Sequence, residues 1–167
     1  MLVLGLDPGL AVTGWALIDS DGGPVRLRDA GFWSTPARED EGRRLLTLWE
    51  SFGVLVAREP PHAVALERLY FSRNVSTAMA VSQARGVLVC AAWRAGLELH
   101  EYTPGQVKQA VTGSGAAPKQ QVGKLVRMLL GDRVPIAPDD VADACAVAIC
   151  HQHAAGLQRA LAAGASR

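Results

Sequence analysis

Residues 2–9, Leu-Val-Leu-Gly-Leu-Asp-Pro-Gly, constrain this chain more than any other stretch. The apolar run Leu2 to Leu6 reads as a buried strand, and the Pro-Gly pair after it is a turn signal. Asp7 is then the last strand residue, a carboxylate at the mouth of an apolar strand. Such a group carries a desolvation cost unless donors or a positive charge meet it there. Two roles are open to it: capping the turn through backbone N–H groups, or forming part of a cation site. The rest of the chain decides between them.

Val12 to Ile18 is a second strand, close enough to pair antiparallel with the first. The turn-rich run Asp19 to Pro24 leads to a third strand, Val25 to Trp33, completing a meander. Pro36 precedes an amphipathic helix with Leu45, Leu48, Trp49, Phe52, Leu55 and Val56 at helical spacing. After Pro60-Pro61, the apolar strand Ala63 to Leu66 ends, like the first, on a carboxylate, Glu67. A loop, Arg68 to Asn74, opens a second long helix reaching about Arg94. Its apolar positions cover a wide arc, so it packs on the sheet and on something else, with a second subunit as the candidate. Leu97 to Tyr102 makes a fifth strand, and Thr103-Pro104 supplies an N-cap with proline at the first helical position. Thr112 to Pro118 is the most flexible stretch in composition and leads into a helix from Lys119. The last helix follows Pro138, with Val141, Ala144, Cys145, Ala148 and Ile149 as its buried stripe; the tail 156–167 is expected to be poorly ordered.

This order predicts an α/β fold, a five-stranded mixed sheet in which an antiparallel three-stranded meander is extended by two parallel strands, with helices on both faces. The 167 residues fit one domain, 1–167, long enough for a genuine core. No apolar run approaches the roughly 18 residues of a membrane span. The chain enters strand without a basic leader, and Cys90, Cys145 and Cys150 sit in apolar contexts without a CxxC pair, so a reducing, cytoplasmic setting is expected. Net charge is only +1, but residues 60–130 hold eight basic and three acidic side chains. That basic middle is the footprint of a nucleic-acid binder, or simply a solvated helix face.

Asp140 and Asp143 are three apart on the final helix and share one face beside its apolar stripe. Their repulsion there invites a cation, although Asp140 taken alone reads equally well as a helix-start acid that favours the dipole; Asp139 reads as the helix N-cap. Two strands ending on carboxylates, in a sheet whose last helix brings two more to the same edge, gather Asp7, Glu67, Asp140 and Asp143. Four hard oxygen donors with no His or Cys select Mg²⁺ or Mn²⁺ over Zn²⁺. Two such ions, roughly 3.5 to 4 Å apart, suit hydrolysis of a phosphodiester. There is no G-x-S-x-G elbow and no Cys-His arrangement.

Five motifs then stand in order: Leu-Asp-Pro-Gly-Leu-Ala-Val-Thr-Gly-Trp at 6–15, Ala-Leu-Glu-Arg-Leu-Tyr-Phe-Ser-Arg-Asn at 65–74, Gln-Ala-Arg-Gly-Val at 83–87, Gln-Val-Lys-Gln at 106–109 and Asp-Val-Ala-Asp-Ala at 140–144. Together they resemble the RuvC family of Holliday junction resolvases. The resemblance implies a ribonuclease H-like fold. It also implies a homodimer that nicks two strands of like polarity in a four-way DNA junction during recombination and repair, working with the RuvA-RuvB branch-migration machinery in the cytoplasm, at the nucleoid. It places catalytic and metal-binding acids at Asp7, Glu67, Asp140 and Asp143; some relatives carry His at the position of Asp140, and Asp139 also lies one turn from Asp143. Lys108 and Lys119 match basic positions of the family, and Tyr70 its aromatic position, suited to stacking on unpaired bases. Arg73 and Lys124, with Arg68 and Arg127, are further candidates for phosphate contacts, a solvated surface role being equally open to these four. The alternative is a related ribonuclease H-like nuclease acting on RNA or another branched nucleic acid.

Overall fold

The computed structural model describes residues 1–68, 75–131 and 138–164. Five strands, β1 (Leu2–Asp7), β2 (Val12–Asp19), β3 (Arg26–Ser34), β4 (Ala63–Glu67) and β5 (Glu98–Tyr102), form one sheet in the order β3-β2-β1-β4-β5. β1, β2 and β3 are antiparallel neighbours, while β4 and β5 run parallel to β1. Helices α1 (Glu41–Arg58) and α2 (Val75–Arg94) precede β4 and β5, and α3 (Pro104–Thr112), α4 (Lys119–Leu130) and α5 (Asp139–Gly164) follow.

Successive strand residues point to opposite faces, and the apolar packing on the sheet divides accordingly. Leu4, Leu6, Trp15, Leu17, Val64 and Leu66 pack with Phe52 and Leu55 of α1 and with Leu88, Ala91 and Ala92 of α2. Val3, Ala16, Ile18 and Ala65 pack on the opposite face with α5, Val107 and Val111 of α3, and Val122 and Val126 of α4. Gly5 permits this second packing: a methyl there would overlap the carbonyl of Ala144 and sit 2.8 Å from the Ala148 side chain. α5 therefore beds directly onto the strand backbone.

Several expectations change. Asp139 is the first helical residue of α5 rather than its N-cap. α5 itself runs to Gly164, its Ala-rich last turns being strongly helix-forming in composition. The Gly/Ser stretch after α3 is hydrogen-bonded: Gln109 donates to the Gly113 carbonyl (2.8 Å) and accepts from the Gly115 N–H (3.0 Å). At the start of α3, Thr103 and Gln106 form a reciprocal capping box with Pro104 at the first helical position. Cys145 and Cys150 are buried, whereas Cys90 is exposed. Among the described residues no helix is long and apolar enough to cross a membrane.

Candidate active site

The two-residue repeat of the strands puts Asp7 on the same face as Val3 and Gly5, and Glu67 on the same face as Ala65. That is the face covered by α5. β1 and β4 are paired through Leu6 and Leu66, so Asp7 and Glu67 are the next residues on adjacent parallel strands. Above them α5 contributes Asp143. These three acids line a cavity of about 310 Å³ together with Lys108 of α3 and Lys119, the first residue of α4. Residues far apart in sequence, from 7 to 143, therefore share one pocket.

Its electrostatics are those of crowded carboxylates. Burial pushes the Asp7 carboxyl up to about 7, and repulsion from Asp143, Asp140 and Glu67 adds to the rise, with Lys119 acting in the opposite direction. Glu67 is also raised, first by burial and then by Asp143, against Lys108 and Lys119. Lys119 Nζ lies 2.7 Å from Asp143 Oδ2, and this hydrogen bond is the main cause that raises the lysine above its ordinary value. The same arrangement separates two neighbouring acids. Asp140 is half-buried and acts on Asp7, whereas Asp139 is exposed and lines an adjoining cavity of about 470 Å³ with Gln120, Gly123 and Arg127.

Among the described residues no three His, Cys, Asp or Glu side chains are drawn together into a ready-made cation site. The chemistry of the donor set nevertheless fits a divalent cation. Every acid offers hard oxygen, Asp7 and Glu67 are held partly out of water, and their repulsion is offset by lysines alone. A cation binding there relieves the same forces that raise Asp7.

Other candidates are distributed around this cavity. Lys124 is exposed on α4, five residues or about 1.4 turns on from Lys119. Arg68 lies 3.8 Å from Glu101, which also pairs with Arg85, so that arginine has an acidic neighbour within the protein. Tyr70 and Arg73 lie outside the described residues. His151 of α5 does not lie on a helix surface. It is only 5% exposed and shares a 2.8 Å hydrogen bond with the Tyr102 hydroxyl, with its ring 4.3 Å from that of His100. Burial and His100 push His151 down to about 4, against the pull of Glu98, so it is neutral at physiological pH. The sequence signal for this cluster is faint: alternation along Leu99 to Tyr102 puts His100 and Tyr102 on one face of β5, but nothing local points to His151.

Residues 3–151 match the family model described as crossover junction endodeoxyribonuclease RuvC. The chain belongs to the RuvC family. It is 48% identical over 157 residues to the crossover junction endodeoxyribonuclease RuvC of Desulfitobacterium hafniense, covering 94% of this chain and 95% of that protein. It is 50% identical over 154 residues to the RuvC of Heliobacterium modesticaldum, covering 92% and 94%. The structure of T. thermophilus RuvC in complex with Holliday junction substrate superposes with a TM-score of 0.88 at 33% identity, covering 95% of this chain and 96% of that one. The fold is thus the ribonuclease H-like fold of the RuvC structures.

Proposed function

We propose that this protein is a metal-dependent endonuclease that resolves four-way DNA junctions by nicking two strands of like polarity. The observation that carries the reading is the convergence of Asp7, Glu67 and Asp143 in one cavity, flanked by Lys108 and Lys119, in a chain of the RuvC family. Asp7, Glu67, Asp140 and Asp143 are the proposed metal ligands, with Mg²⁺ as the working ion, Mn²⁺ as a substitute, and two ions per site. When bound, such ions supply an activated water and a counter-charge on the leaving oxygen. The chain's own residues do the rest. The carboxylates fix the place of reaction on a sheet edge, while Lys108 and Lys119 draw a phosphodiester into the cavity. Lys124, and Arg73 with Tyr70 on the β4–α2 connection, extend the contact along the backbone and onto unpaired bases.

A single domain, 1–167, paired as a homodimer matches a two-fold junction with two identical sites. The face of α2 that carries exposed Met79, Cys90 and Trp93 supports that pairing. Cooperation with a RuvA-RuvB branch-migration complex in the cytoplasm, at the nucleoid, completes the proposal.

The test is a synthetic four-way junction and a linear duplex of the same sequence, each incubated with Mg²⁺, Mn²⁺ or EDTA and the products mapped. Symmetric, junction-specific nicks that EDTA abolishes are the expected result. Equal cutting of the linear duplex, or cutting in EDTA, rules the proposal out.

A further inference from the structure

Gly14 lies directly across the antiparallel ladder from Asp7 and directly beneath the start of α5. A methyl on Gly14 would overlap the Asp140 carbonyl group and stand 2.9 Å from the Val141 nitrogen. Backbone conformation does not call for glycine here, since the glycines with positive φ are Gly22, Gly96, Gly113 and Gly131 among the described residues. Glycine also weakens a strand interior relative to residues with side chains. What this position needs is empty space. Asp7 and Asp140 are 133 positions apart in sequence, and Gly14 adjoins both: a ladder pair on one side, the backbone of Asp140 on the other.

We propose that Gly14 is a positioning residue that sets the separation of the Asp7 and Asp140 carboxylates by letting α5 rest on the β2 backbone. The inference builds on the metal-ligand assignment made above. With the helix seated at that height, the Asp140 side chain has the length the gap requires, and an added methylene or a lifted helix spoils the match.

Mn²⁺ affinity, measured by calorimetry on folded protein without DNA, tests this. Gly14→Ala is expected to weaken binding by about tenfold, the lower end of the range for residues that orient ligands. Asp140→Glu alone, one methylene too long for the seated helix, is also expected to weaken it. Combined, the two changes are expected to bind more tightly than Gly14→Ala, because the longer acid spans the gap that the raised helix opens. A merely structural defect is not repaired by lengthening an acid. Folded Gly14→Ala with unchanged affinity, or a double variant showing only additive losses, overturns the proposal. If Gly14→Ala does not fold, Asp140→Glu decides, and unchanged affinity overturns it. Unchanged affinity in Asp140→Asn would instead remove Asp140 from the ligand set, a separate failure.

Discussion

The ammonium of Lys119 lies 2.7 Å from a carboxylate oxygen of Asp143, within the cavity that also holds Asp7 and Glu67. A cation contributed by α4 thus already stands among acids contributed by β1, β4 and α5. Lys119→Met is expected to lower junction affinity for all sequences alike and to reduce the slope of log affinity against log salt by about one. Lys124→Met should change the slope similarly. Without metal, Lys119→Met should also lower the Tm at pH 8 more than Lys124→Met does, because Lys119, unlike Lys124, offsets the acid cluster. Fluorescence titrations across a salt series and thermal melts measure both effects.

Asp7→Asn is expected to bind junction DNA at near wild-type affinity and to lose metal-dependent cleavage. The amide preserves shape while removing the charge that a cation needs. Cleavage close to the wild-type rate would take Asp7 out of the reaction.

Stability without metal carries its own signature. The Asp7 carboxyl titrates near 4 in an unfolded chain and about 7 in the fold. A raised acid leaves the folded state binding more protons, so its contribution is complete below pH 4 and is lost as pH rises through 7. Metal-free protein should therefore melt several degrees higher in Asp7→Asn than in wild type at pH 8, with the difference closing near pH 4. Divalent cation should narrow it from the other side, by stabilising the wild type alone. Melting curves in EDTA and in Mg²⁺ across this pH range provide the check.

Tyr102→Phe removes the hydroxyl partner of buried His151. The expected loss of stability is about 1 kcal/mol, with Mn²⁺ affinity unchanged, since neither residue lines the acid cavity. Chemical denaturation and calorimetry on the same samples separate the two effects.

The strands and their carboxylate ends were legible because both signals are local: an apolar run, then a charge, then a turn. Asp7 and Glu67 each needed only the parity of their own strand. The choice between Asp139 and Asp140 was different, because both stand one turn from Asp143. It depends on the rotation of α5 about its axis, which is decided by packing across the sheet, where the Asp140 carbonyl lies close over Gly14. The burial of His151 was not legible for a related reason. From Ala144 to Gln152 every residue of α5 is buried, so no polar stripe marks which side faces water. The Gly/Ser stretch after α3 was taken at its composition, whereas its order comes from one side chain, Gln109, folded back onto it.

The sheet is laid down early in the chain, but the helix that roofs Asp7 and Glu67 begins only at Asp139. During translation, β1 to β4 emerge well before Asp140 and Asp143 are joined to the polypeptide. On the proposed assignment, an unfinished chain holds half of the acids and no cleavage centre. α5 is thus a late piece of the core and, on that assignment, the step that arms the nuclease.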